Sequence, residues 1–179
     1  MQIDTQTIIK SERIFLRIID HNDIRDEYIN WLNDMEVNKF LETRFQNQTF
    51  ETVTNYITQI LKKDNEYLFG IFNIDEIHLG NIKLGPINTI HNFAEISLFV
   101  GKKNVWGKGI GTEAINALCD FSFSVLGLHK ITAGCYSNNI GSIKAFDKCG
   151  FIEEGRWKKH YFYKTDQYVD RVCLAKFKP

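Results

Sequence analysis

The stretch 104-NVWGKGIGTEAI-115 sets three glycines, at 107, 109 and 111, directly before an apolar pattern of helical spacing. Glycine loses more conformational freedom on folding than any other residue, so a compensating gain is expected where three crowd a helix entry. A helix start exposes unpaired backbone N–H groups and the positive end of the macrodipole. Glycines just before it let a bulky anion reach those groups. The stretch is therefore either a phosphate cradle or an ordinary tight turn. Two familiar phosphate motifs are excluded. No Gly is followed four residues later by Gly-Lys-Ser/Thr, and the glycines fall too late, at the wrong spacing, for the dinucleotide fingerprint.

Downstream, the pattern predicts a helix over roughly 109–126, with Ile110, Ala114, Ala117, Leu118, Phe121 and Val125 on its buried stripe. A strand follows at 129-HKITAGCY-136, then a helix over 139–149 with Asn139 at its N-cap and Gly150 just past its end. The tail 151–177 reads as two strands with a turn near Thr165-Asp166. Upstream, 93-FAEISLFVG-101 alternates; Ala94, Ile96, Leu98 and Val100 form an apolar face and Glu95 lies on the other. Before it, 67-YLFGIFN-73 and 77-IHLGNIKLG-85 read as a hairpin, and 13-RIFLRIID-20 as a strand. Helices are expected over 22–34, capped by Asn22, and over 50–63, with Val53, Tyr56, Ile57 and Ile60 in its stripe; 37–45 is open between short helix and loop. The element order predicts an α+β fold, an α/β sandwich on a mostly antiparallel sheet of seven strands with about four helices.

The chain has 179 residues, of which 44% are hydrophobic and 25% charged, the balance of one ordinary globular domain spanning 1–179. Lys plus Arg and Asp plus Glu number 22 each, so no global field favours nucleic acid or an anionic membrane, although Lys102, Lys103 and Lys108 make a local basic patch beside the glycines. The four cysteines, at 119, 135, 149 and 173, lack the spacing of a metal site or redox dithiol. With a polar N-terminus and no membrane-length apolar run, they read as reduced thiols in a cytoplasmic protein without bound metal.

WGKGIGTEAI (106–115) and HKITAGCYSNNIGSIKAFDKCGF (129–151) resemble the acetyl-CoA-binding core of the GNAT N-acetyltransferases. Within that family the likeness is to the ribosomal-protein-acetylating subgroup and its small-molecule relatives. The resemblance implies acetyl-CoA as cofactor, with the pyrophosphate on the backbone of Trp106, Gly107, Lys108, Gly109, Ile110, Gly111 and Thr112. The family often keeps Gln or Arg where Trp106 stands. It further implies that Leu98, Phe99 and Val100 pair by their backbone with the pantetheine arm, in a gap between this strand and 129–136. Asn139 and Ser142 match its Asn-x-x-Ser, as ligand contacts or simply as cap and first turn. Phe146, against the cofactor, takes the place of a Tyr that many relatives use as acid.

Glu95 stands where many members keep their general base, acting directly or through water. An isolated Glu titrates near ~4.3, so aromatic neighbours such as Phe93 and Phe99 are expected to raise it; the alternative is a strand Glu paired to a Lys such as Lys83. Ser142 and Tyr136 are the alternative acids. The acceptor side is expected to draw on Trp31, Phe40, Arg44, Phe45, Asn81, Lys83 and His91, with His160 and Tyr161 from the last hairpin. Arg44 beside Phe45 suits a phosphate and a base, as in a nucleotide-linked amino sugar of surface-polysaccharide synthesis. The leading expectation is an acetyltransferase for a small-molecule amine. The alternatives are acetylation of a protein N-terminus and a CoA-binding module without catalysis. The resemblance leaves monomer and homodimer open.

Overall fold

The computed structural model describes residues 3–179. Its strands are β1 (Ile8–Lys10), β2 (Ile14–Ile18), β3 (Tyr67–Asn73), β4 (His78–Leu84), β5 (Phe93–Val100), β6 (Lys130–Tyr136), β7 (Ile152–Lys164) and β8 (Gln167–Phe177). Its helices are α1 (Asp26–Asn33), α2 (Met35–Asn38), α3 (Phe50–Leu61), α4 (Ile110–Ser124) and α5 (Ile140–Lys148). One 8-stranded sheet runs in the order β1-β2-β3-β4-β5-β6-β8-β7. The α+β class holds, with one strand and one helix beyond those expected. The extra strand, β1, is three residues in a polar stretch and has no period to read; pairing with β2 makes it.

The two faces of the sheet carry separate cores. On one, α4 and α5 pack Ile110, Ala114, Ile115, Leu118 and Phe146 against Ala94, Ile96, Ile131 and Ala133. On the other, α1 and α3 pack Tyr28, Trp31, Leu32, Val53, Ile57 and Ile60. The strand alternation predicted for β5 holds at Ala94 and Ile96, both buried, while Leu98 and Val100 are half-buried.

Local caps shift some boundaries. Asp20, not Asn22, is the cap at the start of the second element. Its carboxylate accepts from Asn22 N and closes a 3₁₀ turn over His21–Asp23, so the α-helix proper begins only at Asp26. Residues 37–45 divide between the end of α2 and a second 3₁₀ turn, Glu42–Phe45. Thr49 and Thr52 cap α3 reciprocally. Tyr56, expected in the α3 stripe, is exposed. Asn139 does cap α5, accepting from Ser142 N, and Asp166 takes a positive φ in the last turn.

Every neighbouring pair is antiparallel except β5–β6. Those two run parallel and pair only from Phe93↔Lys130 to Glu95↔Thr132. Beyond Glu95 they separate, although both strands continue. Leu118, 0% exposed in the core beneath them, reports on this packing. Leu118→Ala is expected to cost about 2–5 kcal/mol in urea unfolding, the range for a cavity that cannot collapse.

Candidate active site

Which backbone groups of β5 face the gap follows from alternation. Glu95 O accepts from Gly85 N at 2.8 Å and Gly101 N donates to Leu79 O at 2.8 Å, so odd residues point their backbone at β4 and its flanks. Ala94 O accepts from Thr132 Oγ1 at 3.3 Å and Val100 O from Trp106 Nε1 at 2.8 Å, so even residues point the other way. The N–H and C=O of Leu98 and the N–H of Val100 therefore lie on the open edge. Phe99 does not share in it. Its backbone belongs to the β4 ladder, opposite Asn81, and its ring packs 6.3 Å from Tyr28 and 6.4 Å from Trp31.

The glycine stretch enters α4 beside this edge. Gly107 and Gly109 take φ of 74° and 84°, a region other residues reach only with strain. Gly111 is helical, and a Cβ there would lie 3.6 Å from Leu98 Cδ1, which sets the helix mouth against the open strand. Trp106 N donates to Lys103 O at 3.1 Å and Lys108 N to Val105 O at 3.3 Å. Those two amides, expected in the cradle, are spent within the turn. Gly107, Gly109, Ile110, Gly111 and Thr112 have no such partner among the described residues, and the helix has no side-chain cap. Arg13 fastens the turn: Nη1 donates to Lys108 O at 2.9 Å and Nη2 meets Glu113 Oε2 at 2.7 Å. The basic patch is mostly neutralised. Lys102 pairs with Glu27 at 2.8 Å and Lys103 with Asp34 at 2.7 Å, so of these three lysines Lys108 has no ion pair among the described residues.

Across the gap, Asn139 Oδ1 is occupied by the Ser142 amide at 3.3 Å, and Ser142 Oγ lies 3.3 Å from Cys135 Sγ. Burial pushes the Cys135 thiol up, so it stays protonated. Phe146 is a core residue, 2% exposed and edge-on to Phe151 at 4.9 Å, rather than a wall of the gap.

Glu95 marks the vertex where β5 and β6 part. Its partner is neither Lys83 nor an aromatic wall. Arg171 Nη2 on β8 donates to both carboxylate oxygens, at 3.0 and 3.1 Å. Lys83 pairs with Glu66 at 2.9 Å instead. Further along the same face, Tyr136 stacks on Tyr161 at 4.0 Å and donates its O–H to Glu42 Oε1 at 2.7 Å. Burial, then the Glu42 carboxylate, raises the Tyr136 phenol far above its ordinary value. Phe40 packs 5.6 Å from Tyr136. Arg44 lies over Phe45 at 4.5 Å and over Tyr136 at 5.1 Å, donating to Lys39 O and to Phe162 O. His160 stands edge-on to Tyr161 at 4.9 Å.

Four expected acceptor residues lie elsewhere. Trp31 is core on α1, packed against His78 at 5.1 Å. Asn81 is buried, its Oδ1 bonded to His78 Nε2 at 2.7 Å. Lys83 is turned to Glu66. His91 sits in the turn before β5, at the closed end of the β5–β6 pair, with its amide on Asn88 Oδ1. Sequence reasoning missed Arg171, Glu42 and Cys135. The one signal for Arg171 was Gly134 inside a strand, which marks a close approach. A cavity of about 550 Å³ lies over β1, β2 and β3 near Arg17 and Phe72, and none of the gap residues lines it.

A parted parallel pair beside a glycine-rich helix mouth is the architecture of an acyltransferase that holds a nucleotide-tailed thioester. Residues 13–152 match the family model described as "Acetyltransferase (GNAT) domain", and the chain belongs to that family. It is an N-acetyltransferase with acetyl-CoA as cofactor. It is 39% identical over 114 residues to the probable N-acetyltransferase YjcK of Bacillus subtilis, a match spanning 60% of each chain. It is 26% identical to the spermidine N(1)-acetyltransferase of Vibrio cholerae, over 85% of this chain and 86% of that one. The solved spermidine N-acetyltransferase of Vibrio cholerae in complex with CoA and spermine superposes with a TM-score of 0.83 at 24% identity, covering 93% of this chain and 96% of that one, a likeness of fold. These relatives do not single out the ribosomal-protein-acetylating subgroup.

The residues present fit the cofactor: an open strand edge for an amide-bearing arm, and free amides with Lys108 for a diphosphate. Gly109→Val, which forces a β-branched residue to a φ of 84°, is expected to weaken acetyl-CoA binding about 10-fold or more by calorimetry in a protein that still folds.

Proposed function

We propose that this enzyme acetylates the primary amine of a small molecule, with Glu95 as the base that takes the amine proton. The observation that carries the reading is the position of Glu95 at the vertex of the gap, beside both the open edge of β5 and the aromatic face of Tyr136 and Tyr161. Acetyl-CoA supplies the acyl group when bound. The amides of Gly107, Gly109, Ile110, Gly111 and Thr112, with Lys108, hold its diphosphate; Leu98 and Val100 hold its arm. The Leu98 N–H, on the open edge, gives a hydrogen bond to the acyl oxygen as negative charge builds there. An ammonium is no nucleophile, so the acceptor must lose a proton to Glu95, directly or through a water.

Two hydroxyls remain as the proton donor to the departing thiolate. Tyr136 is the better placed, on the same face of the sheet as Glu95 and stacked on Tyr161, although burial and the Glu42 carboxylate make its phenol a weaker acid. Ser142, next to Cys135, is the second. Tyr136→Phe is expected to lower kcat more than Ser142→Ala; the reverse ranking would transfer the role to Ser142.

The acceptor face carries Phe40, Tyr136 and Tyr161, with Arg44 over the Tyr136 and Phe45 rings, bonded to carbonyls and without an acidic partner among the described residues. Flat rings and a fixed cation favour an acceptor with a ring and an anionic group, such as a nucleotide-linked amino sugar. Glu42 and Glu95, and the names of the spermidine-acetylating relatives, favour a polyamine as the second reading. A protein N-terminus has no feature of its own in its support. The four free cysteines suit a reducing, cytoplasmic setting.

Thiol release on an amine panel separates these readings: nucleotide-linked amino sugars, spermidine and short peptides. Glu95→Gln is expected to slow turnover about 10²-fold while the KM for acetyl-CoA stays unchanged. An undiminished rate removes Glu95 from the chemistry.

A further inference from the structure

We propose that Arg171, seated on Gly134 and Trp157, is the positioning residue that aims the Glu95 carboxylate into the gap. This rests on the reading of Glu95 as base. Arg171 is on β8 and Glu95 on β5, with β6 between them. Their ion pair therefore spans two strand spacings, about 10 Å. On β6 the residues sharing the Glu95 face are Thr132, opposite Glu95 itself, then Gly134, then Tyr136, opposite Arg171. A side chain leaving Arg171 for Glu95 must cross β6 at residue 134.

Gly134 is what makes that crossing available. A Cβ there would lie 2.3 Å from Arg171 Nε and 2.6 Å from Nη2, closer than atoms can approach. A glycine in the middle of a strand is otherwise unfavourable. On its far side the guanidinium rests against Trp157 of β7, 4.8 Å from the ring centre, opposite Arg171 in the β7–β8 ladder. Arg171 is only 18% exposed and its Nε is buried without a partner among the described residues, so the side chain has given up hydration to hold this path. The Glu95 end is 42% exposed, open to an arriving amine.

Nη2 lies within hydrogen-bond distance of both oxygens of Glu95, which fixes where the carboxylate sits and the direction in which it points. A carboxylate at the unpaired end of a strand would otherwise sample several rotamers, and misplacement by about 1 Å costs a proton transfer dearly. Lysine is a poor substitute, because an ammonium lacks the flat face that lies between Gly134 and Trp157. The other groups near Glu95 do not compete for it. Tyr161 and Cys135 are raised by burial and stay neutral, Glu42 holds Tyr136, and Lys83 holds Glu66.

The test is a double-mutant cycle on kcat with acetyl-CoA and the best amine of the panel. Arg171→Gln is expected to lower kcat about 10- to 100-fold at unchanged KM for acetyl-CoA, and to add less than about 2-fold in a Glu95→Gln background. Gly134→Ala, which leaves both charged residues in place, is expected to give the same kcat loss by pushing the guanidinium off its seat. It also serves if Arg171→Gln fails to fold. Equal losses in the two backgrounds, or a Gly134→Ala enzyme at the parental rate, would overturn the positioning role while leaving Glu95 as base. A parental rate in Glu95→Gln would sink the base and the inference together.

Discussion

The parallel pairing of β5 with β6 ends at Glu95, and the rest of the site depends on that ending. Leaving a strand edge unpaired inside a sheet costs hydrogen bonds that the backbone must make somewhere. The protein limits the cost at one end, where the Trp106 indole takes the Val100 carbonyl. β6 is secured on its other side by a full ladder with β8, from Lys130↔Phe177 to Tyr136↔Arg171, so it does not need β5. What remains is a short open edge around Leu98, where the proposed reading seats an extended, amide-bearing chain as a surrogate strand. The same parting brings the mouth of α4 against Leu98 and Val100, so on the proposed reading one discontinuity serves both arm and diphosphate.

The electrostatics of the helix mouth follow from a balance between two local charges. Glu113 lies in the first turn of α4, where a carboxylate would satisfy the macrodipole and compete with an incoming anion. Arg13 removes that competition, holding Glu113 through its backbone N–H at 2.7 Å and its guanidinium at 2.7 Å. Burial disfavours the charged form of Glu113, but the bonds from Arg13 outweigh it and keep the carboxyl below its usual range. The same guanidinium reaches the Lys108 carbonyl, so one residue of β2's approach both cancels the acid and sets the turn. The positive end of α4 is left available to a ligand.

The glycine-rich helix mouth and the strand beside it, the candidate cofactor half of the site, were legible in the sequence because they are made of backbone. Glycines at 107 and 109 are where the chain needs positive φ, and a glycine spacing can be read without neighbours. Even here, strand parity decided that Leu98 and Val100 face the gap and Phe99 does not, and parity needs the ladder partners. The acceptor half is made of side chains meeting across the fold. Glu42 reaches Tyr136 from 94 residues away and Arg44 reaches Phe162 from 118. No periodicity encodes such meetings. Trp31 and Asn81 were misread for the converse reason: an aromatic or amide on a helix or strand carries no mark of whether its neighbours are ligand or core, and here both are buried. Residue type suggested Lys83 as the partner of Glu95; geometry gave Arg171, two strands away.

This division has a consequence for how acceptor choice is built. The diphosphate cradle and the strand edge sit on α4, β5 and β6, which share one continuous core. The aromatic face above Glu95 is assembled from the segment around Phe40 to Phe45 and from the long β7–β8 hairpin, most of whose β7 side chains are exposed. Those two pieces meet through the Phe40–Tyr163 ring pair at 6.1 Å, the Arg44 bond to Phe162 and the Phe45–Phe162 ring pair at 6.1 Å. Substitutions there leave the main core untouched, so they alter the acceptor face at small cost in stability. A substitution in β5, β6 or the α4 mouth disturbs strand pairing and cofactor hold together. On the proposed mechanism, selection for a different amine is thus free to act on one half of the site while the backbone amides and the vertex carboxylate stay fixed.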